Sequence, residues 1–255
     1  MSHHIVDFID ISYSYPDGNK ALENVSIRIH HGESVAVIGA NGAGKSTLLK
    51  LLVGILRPRG GEIRLGDLPV TAKTLSMIRQ RIGFTFQDPE DQLFNLTVYD
   101  DVAFGPRSYG LTEQEVEKKV VRALEIVGIR HLKDRAPYKL SGGEKRAASI
   151  ATVLSMEPDV LAMDEPTAAL DPKSRRLLIK LLQGFEHTKI IATHDLDMAL
   201  ELCSRTVILK AGHVAWDGPT KEILSNSEIL EQCGLELPLM LQGCPVCGNK
   251  RDHEL

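Results

Sequence analysis

Gly39-Ala40-Asn41-Gly42-Ala43-Gly44-Lys45-Ser46-Thr47 is the stretch that decides how the rest of the chain reads. It follows the apolar run Ser34-Val35-Ala36-Val37-Ile38 and precedes Leu48-Leu49-Lys50-Leu51-Leu52, so the local order is strand, glycine turn, helix. The spacing G-x-x-x-x-G-K-[ST] in that context is a phosphate cradle. Its glycines let backbone N–H groups close around a β-phosphate, and Lys45 reaches β- and γ-oxygens. The Ser46 hydroxyl is placed to ligate Mg2+. All of Gly39 to Thr47 is therefore expected to contact a nucleotide.

A second polar, glycine-rich turn opens an apolar-patterned helix about a hundred residues downstream: Leu140-Ser141-Gly142-Gly143-Glu144-Lys145-Arg146. Bare N–H groups at the positive end of a helix form another anion site. One chain thus carries two phosphate-type sites, and the reading has to account for both.

Composition bounds the answer. With 255 residues, 43% of them hydrophobic, the chain can bury a sizeable core as one large or two modest domains. Its 30 Lys and Arg against 34 Asp and Glu, a net charge of −4, argue against a nucleic-acid groove. There is no apolar run of membrane-span length, and Met1 to Asp7 lacks the basic start and apolar stretch of a signal peptide. A cytoplasmic location is expected. Four cysteines, Cys203, Cys233, Cys244 and Cys247, are then not read as disulfide scaffolding.

Strands are expected at 5–14 and 25–29, joined through the turn Pro16-Asp17-Gly18-Asn19. Another is expected at 81–86, ending at Gln87. From Asp88 to Pro158 the pattern turns helical, with a capping-box start at Thr112-Glu113-Gln114-Glu115 and a helix over 144–154. Strand character returns at 160–163, 189–193 and 206–210. Strands alternating with helices around a phosphate loop predict an α/β fold with a largely parallel sheet and its ligand at the carboxyl ends of the strands. Residues 1–87 and 158–225 are expected to form the nucleotide-binding core, 88–157 a helical subdomain, and 226–255 a tail.

The strand ends supply the remaining chemistry. Asp164 and Glu165 follow the strand at 160–163: Asp164 can hold the Mg2+ shell while Glu165 orients or deprotonates the attacking water, though an acidic helix start before Pro166 would look the same. The next strand ends at Thr193-His194-Asp195, where His194 can touch a γ-phosphate or simply lie at a surface helix start. Gln87 can contact Mg2+ or water and relay that state to the helical insertion, or be a solvated loop residue. The candidate catalytic set is Glu165, His194, Gln87 and Lys45, and the candidate Mg2+ ligands are Ser46, Gln87 and Asp164.

Taken together, 39–47, Gln87, Leu140-Ser141-Gly142-Gly143-Glu144, Asp164-Glu165, Ala169-Leu170-Asp171 and His194 occur in the order and spacing of the ATP-binding-cassette ATPases, which the chain resembles over about 5–225. Phe86-Gln87-Asp88-Pro89-Glu90-Asp91-Gln92-Leu93-Phe94 and Asp101-Val102-Ala103-Phe104-Gly105-Pro106 look like the energy-coupling-factor type. Thr193 to Asp197 with Leu202-Cys203-Ser204-Arg205 is similar to the cobalt or nickel members.

The resemblance implies a RecA-like P-loop NTPase core that hydrolyses ATP with Mg2+ at the cytoplasmic face of the membrane, as a peripheral subunit of an importer. It also explains the second anion site. Two cassettes, identical chains or close paralogues, face head to tail, and Ser141, Gly142 and Gly143 of one cover the γ-phosphate held by Lys45 of the other. Asp171 would lie at the seam. Tyr15 is placed to stack on adenine, with Tyr13 as the competing candidate. Further partners would be an integral membrane coupling protein, contacted through about 88–110 with Asp91 and Asp101 as charges, and a substrate-capture protein. Glu144 stands where glutamine is usual.

Two other readings use different residues. Asn249-Lys250-Arg251-Asp252 matches a guanine-recognition motif but follows a glycine-rich segment instead of a buried strand. A non-transport cassette acting on nucleic acid or the ribosome would carry a long coiled coil or two cassettes, and neither is visible. Cys244-x-x-Cys247 supplies half a zinc site, which Cys233 or His253 would have to complete, or it belongs to the tail.

Overall fold

The computed structural model describes residues 4–242. Cys244, Cys247, His253 and the 249–252 motif lie outside the described residues.

In chain order, β1 (His4–Ser14) and β2 (Lys20–His30) form an antiparallel pair. They lead to β3 (Ser34–Ile38) and α1 (Lys45–Leu52). Three short elements that the sequence reading did not anticipate follow: β4 (Gly60–Leu65), β5 (Leu68–Pro69) and α2 (Leu75–Arg81). Next come β6 (Ile82–Thr85), α3 (Val98–Ser108), α4 (Glu113–Ile126) and α5 (Gly142–Leu154). The chain then alternates through β7 (Val160–Asp164), α6 (Pro172–Gln183), β8 (Thr188–Ala192), α7 (Leu196–Leu202), β9 (Arg205–Lys210) and β10 (His213–Pro219). Two short helices, α8 (Thr220–Leu224) and α9 (Ser227–Gln232), complete it.

The expected α/β architecture is present. A six-stranded sheet runs in the order β10-β9-β3-β8-β7-β6, with every neighbouring pair parallel except the β10 edge. A four-stranded antiparallel sheet, β2-β1-β4-β5, lies over one face. Alternate residues of the central strands feed two separate cores. Ala36, Ile38, Leu161, Met163, Ile191 and Ile208 join the helices α3 to α9 on one side. Val35, Val37, Val160, Ala162, Ile190 and Val207 join the antiparallel sheet and α1 on the other. Burial on both faces is why these strands read as unbroken apolar runs.

Several boundaries differ from the sequence expectation. Arg81 ends α2 instead of starting β6, and its Nε donates to Asp159 Oδ2 at 2.6 Å. The tail expected from residue 226 is, as far as residue 242, a packed extension. Asn226 caps α9 by accepting from the Ile229 N–H, and Leu230 and Cys233 are buried in the helical-side core beside Leu235 and Leu237. One turn of helix followed by apolar residues at irregular spacing carries no readable period.

Candidate active site

The turn from β3 into α1 is built to bring backbone close to a ligand. Gly44 caps α1 at φ 105, and a Cβ there would sit 2.5 Å from the Ala21 carbonyl oxygen. A Cβ on Gly39 would lie 2.3 Å from the Leu209 carbonyl oxygen. Any side chain at either place forces the loop off its neighbours. The Lys45 ammonium donates to the carbonyls of Gly39 at 2.7 Å and Ala40 at 3.2 Å. One of its three N–H donors is left for an incoming oxygen. Burial lowers the Lys45 pKa, opposed by the nearby Glu165 and Asp164 carboxylates, so a polyanion restores a balance that the protein alone leaves incomplete.

A cavity of about 420 Å³ opens over this loop, lined by Asn41 to Thr47 together with Tyr15, Gln87, Glu165 and His194. The four strand-end and upstream residues selected from sequence thus meet the loop in one place. Tyr15 faces the cavity and shares a hydrogen bond with Thr47 Oγ1 at 2.9 Å. Tyr13 is buried in the core, edge-on to the Tyr15 ring. Geometry therefore separates the two tyrosines that the sequence left open.

Parallel β7 and β8 carry the two acidic and imidazole groups side by side. Asp164 Oδ1 accepts from the Ser46 hydroxyl at 2.9 Å, and burial raises the Asp164 pKa against that hydrogen bond. Ser46, Asp164 and the Gln87 amide together form an oxygen-only set that suits a hard divalent cation. Among the described residues no group of three or more His, Cys, Asp or Glu is placed to hold a metal, so a cation here would draw its remaining ligands from phosphate and water. Glu165 is held at φ 45, a conformation that costs a non-glycine residue about 1 kcal/mol or more. Its N–H donates to the Ala192 carbonyl at 2.8 Å, and its Oε2 lies 2.8 Å from His194 Nδ1. Strain at a buried carboxylate beside an exposed imidazole is the kind of arrangement that function retains.

The second glycine turn lies apart from the P-loop cavity: neither Ser141 nor Gly143 lines it, while Gly142 borders an adjoining cavity of about 490 Å³ with Ser46, Gln87 and Asp164. Ser141 caps α5 and forms a capping box with Glu144. Asp171 caps α6, accepting from the N–H groups of Lys173 and Ser174, and Ser174 packs against Gly143, where a Cβ would meet its Oγ at 2.4 Å.

Sequence reasoning missed Arg146 and Gln92. Arg146, on α5 and only 2% exposed, donates to the carbonyls of Phe86 at 2.8 Å and Gln87 at 2.5 Å. Gln92 donates to Ser149 O and Thr152 Oγ1 on the same helix and accepts from the Phe86 N–H. These side chains tie the segment around Gln87 to the helix that carries the second glycine turn. A charged residue inside an amphipathic helix gives no signal of such a clamp. Asp101, expected as a surface charge for a partner, is corrected: it is 3% exposed, and its Oδ1 accepts from the N–H groups of Phe94 and Asn95 and from the Asn95 amide. An aspartate in the first turn of α3 is drawn inward to satisfy the loop before it. Cys203 and Cys233 are free and buried, and burial pushes the Cys203 thiol up to about 12.

With this geometry in place, the comparisons are specific. The ABC transporter family model matches residues 22–168. A provisionally named ABC transporter ATP-binding protein of Geobacter sulfurreducens is 60% identical over 98% of this chain and 100% of its own length. The energy-coupling factor transporter ATP-binding protein EcfA of Methanothermobacter thermautotrophicus is 42% identical over 92% of this chain and 77% of its own. Among solved structures, cbiO1 from Clostridium perfringens, part of the ABC transporter complex cbiONQ, superposes with a TM-score of 0.80 at 40% identity, covering 91% of this chain and 94% of that one. The dimeric post-hydrolysis state of the cassette MJ0796 with ADP and Pi gives 0.77 at 27% identity, covering 85% and 99%. The chain belongs to the ABC transporter family, and it is an ATP-hydrolysing cassette of that family.

Proposed function

We propose that this chain energises a membrane importer of the energy-coupling-factor type, with Co2+ or Ni2+ as cargo. The likeness to EcfA supports the type, and the resemblance of Thr193 to Asp197 and Leu202 to Arg205 to the cobalt or nickel members supports the cargo. The observation that carries the catalytic part is the meeting of Glu165 and His194 at the P-loop cavity.

In this reading Tyr15 stacks on adenine, a contact of about 1–3 kcal/mol by analogy with bases on aromatic rings. The 39–47 loop and Lys45 hold the β- and γ-phosphates. Ser46, Asp164 and Gln87 hold Mg2+, which supplies charge neutralisation on the phosphate oxygens when bound. Glu165 takes a proton from the attacking water, and His194 turns toward the γ-phosphate. Ser141, Gly142 and Gly143 of a second cassette, a copy of this chain or a paralogue, close the site from across a head-to-tail dimer; a dimeric relative supports that arrangement. Hydrolysis reopens it, and the clamp from Gln87 through Arg146 to α5 carries the motion outward.

The membrane partner has an apolar place to dock. Phe94, Leu96 and Phe104 are 65%, 86% and 51% exposed, and Phe94 and Phe104 stack edge to face at 5.0 Å; exposed Asp91 precedes them in the chain. Among the described residues no helix is long and apolar enough to cross a membrane, which is consistent with a peripheral subunit that reaches the bilayer through that partner. Co-expression with the membrane protein encoded beside this gene tests the proposal: ATP-dependent uptake of Co2+ or Ni2+ into cells or vesicles is expected. Assembly without uptake of either ion would remove the cargo, and purification on ribosomes or nucleic acid would remove the transport role.

A further inference from the structure

Ser141 has one hydroxyl proton to give. In this structure Ser141 Oγ donates it to Glu144 Oε2 at 2.9 Å, and the same carboxylate oxygen accepts the Ser141 backbone N–H at 2.7 Å. The return bond, from the Glu144 N–H to Ser141 Oγ, is long at 3.4 Å. The strong interactions therefore run toward the carboxylate. Backbone and hydroxyl donation from Ser141 hold the Glu144 carboxyl below the usual range, consistent with an ionised acceptor that has no proton of its own to offer.

An ionised γ-phosphate oxygen is also an acceptor only. If Ser141 covers the nucleotide of a facing cassette, one proton has two claimants. We infer that Glu144 competes with the partner-held γ-phosphate for the Ser141 hydroxyl proton, and so raises the ATP concentration needed to close the dimer. The inference rests on the head-to-tail reading of the proposed function.

Glutamine at this position would relax the competition. Its amide oxygen still accepts the Ser141 N–H, so the capping box and the start of α5 survive. A neutral oxygen is a weaker acceptor than a carboxylate, so it holds the hydroxyl proton less firmly. Glu144 thus acts as a positioning residue through Ser141.

The test uses the full chain carrying Glu165→Gln, which slows consumption of ATP, and follows dimer formation by light scattering across an Mg·ATP titration. Glu144→Gln is expected to lower the half-maximal ATP concentration roughly three- to tenfold, the scale of a charge-assisted against a neutral hydrogen bond. The same substitution in a Ser141→Ala chain is expected to shift nothing, because no hydroxyl proton remains; the glycine N–H groups keep that chain able to close at higher ATP. In Ser141→Thr, which keeps a hydroxyl, the gain is expected to return. A gain that persists in Ser141→Ala would mean simple charge repulsion and would overturn the inference, as would no gain with Ser141 intact. Ser141→Arg separates this from the reading beneath it. If its ATP-dependent dimer is lost while Glu144→Gln is neutral, only the proton competition fails; if it dimerises like its parent, the head-to-tail reading fails and takes the inference with it.

Discussion

Glu165 Oε2 accepts from the two N–H groups of one residue, the His194 imidazole Nδ1 at 2.8 Å and the His194 backbone at 3.1 Å. The Nδ1 side of the imidazole is thereby directed at the carboxylate, while most of the His194 side chain stays exposed. Moving from this arrangement to one in which Glu165 handles a water and His194 a phosphate requires that one contact to break. The contact lies just past the ends of two adjacent parallel strands, β7 and β8.

Glu165→Gln keeps the size and one acceptor oxygen while removing the basic charge. ATP binding should survive and turnover should fall about a hundredfold or more, the scale of a lost general base. Equilibrium ATP binding and steady-state phosphate release measure the two separately. Turnover near that of the parent chain would take Glu165 out of the catalytic role.

Arg146→Met removes the donors that hold the Phe86 and Gln87 carbonyls while leaving a side chain of similar length. Two partly buried acceptors lose their partners, so thermal stability should fall by about 1–2 kcal/mol. Turnover at a temperature well below the melt should fall more than ATP affinity, because the clamp holds the backbone that carries Gln87 into the cavity. Arg146→Lys, with a single donor head, should restore part of the stability. A variant that melts lower yet hydrolyses ATP normally would limit Arg146 to packing.

How much of this was legible beforehand depends on the kind of signal. The P-loop, Asp164, Glu165 and His194 could be read because each ends an apolar strand run, and a parallel sheet brings strand ends together whatever the loops do. Tyr13 and Tyr15 could not be separated, since Tyr13 lies within β1 while Tyr15 falls just past its end, in the turn that leads to β2, and spacing alone does not fix where a strand stops. Asp101 read as a surface charge because a carboxylate in the first turn of a helix looks alike whether it faces water or a preceding loop. Arg146 and Gln92 left no trace: their partners are backbone carbonyls, hydroxyls and N–H groups, which every sequence offers equally.

Asp164→Asn should trade function for stability. The buried carboxylate has a raised pKa, caused first by burial, so its ionised form at neutral pH carries a desolvation cost that asparagine lacks. The Ser46 hydroxyl still finds an oxygen to donate to. Without nucleotide, the variant should melt higher by about 1 kcal/mol, roughly 2–4 °C for a chain of this size. Mg2+-dependent ATP hydrolysis should be lost. Calorimetry with and without Mg·ATP checks both halves; a lower melt in the absence of ligand would mean the carboxylate is stabilising as it stands.

Leu96→Asp changes the exposed surface next to Phe94 without touching the P-loop cavity or the one that adjoins it. Assembly with the membrane partner and transport should weaken at least tenfold, the scale of an interface anchor worth 1.4 kcal/mol or more. ATP hydrolysis by the isolated chain should stay within about twofold of normal, as expected for surface positions. Equal losses in both assays would return Leu96 to the ATP site or the fold.

The central claim is that the 141–143 turn serves the nucleotide of a facing cassette, and mixing two defective chains tests it most directly. Lys45→Ala removes the ammonium from the phosphate cradle, and Ser141→Arg blocks the second glycine turn by bulk. Each homodimer has one lesion in both of its sites and should be nearly inactive. In a heterodimer, one site combines Lys45 from the Ser141→Arg chain with Ser141 from the Lys45→Ala chain and is whole, while the other holds both lesions. ATP-dependent heterodimers, counted with two different affinity tags after confirmed subunit exchange, are the result the account predicts. If both turns served one nucleotide within a single chain, no mixture would recover ATP-dependent dimers, and that result would contradict it.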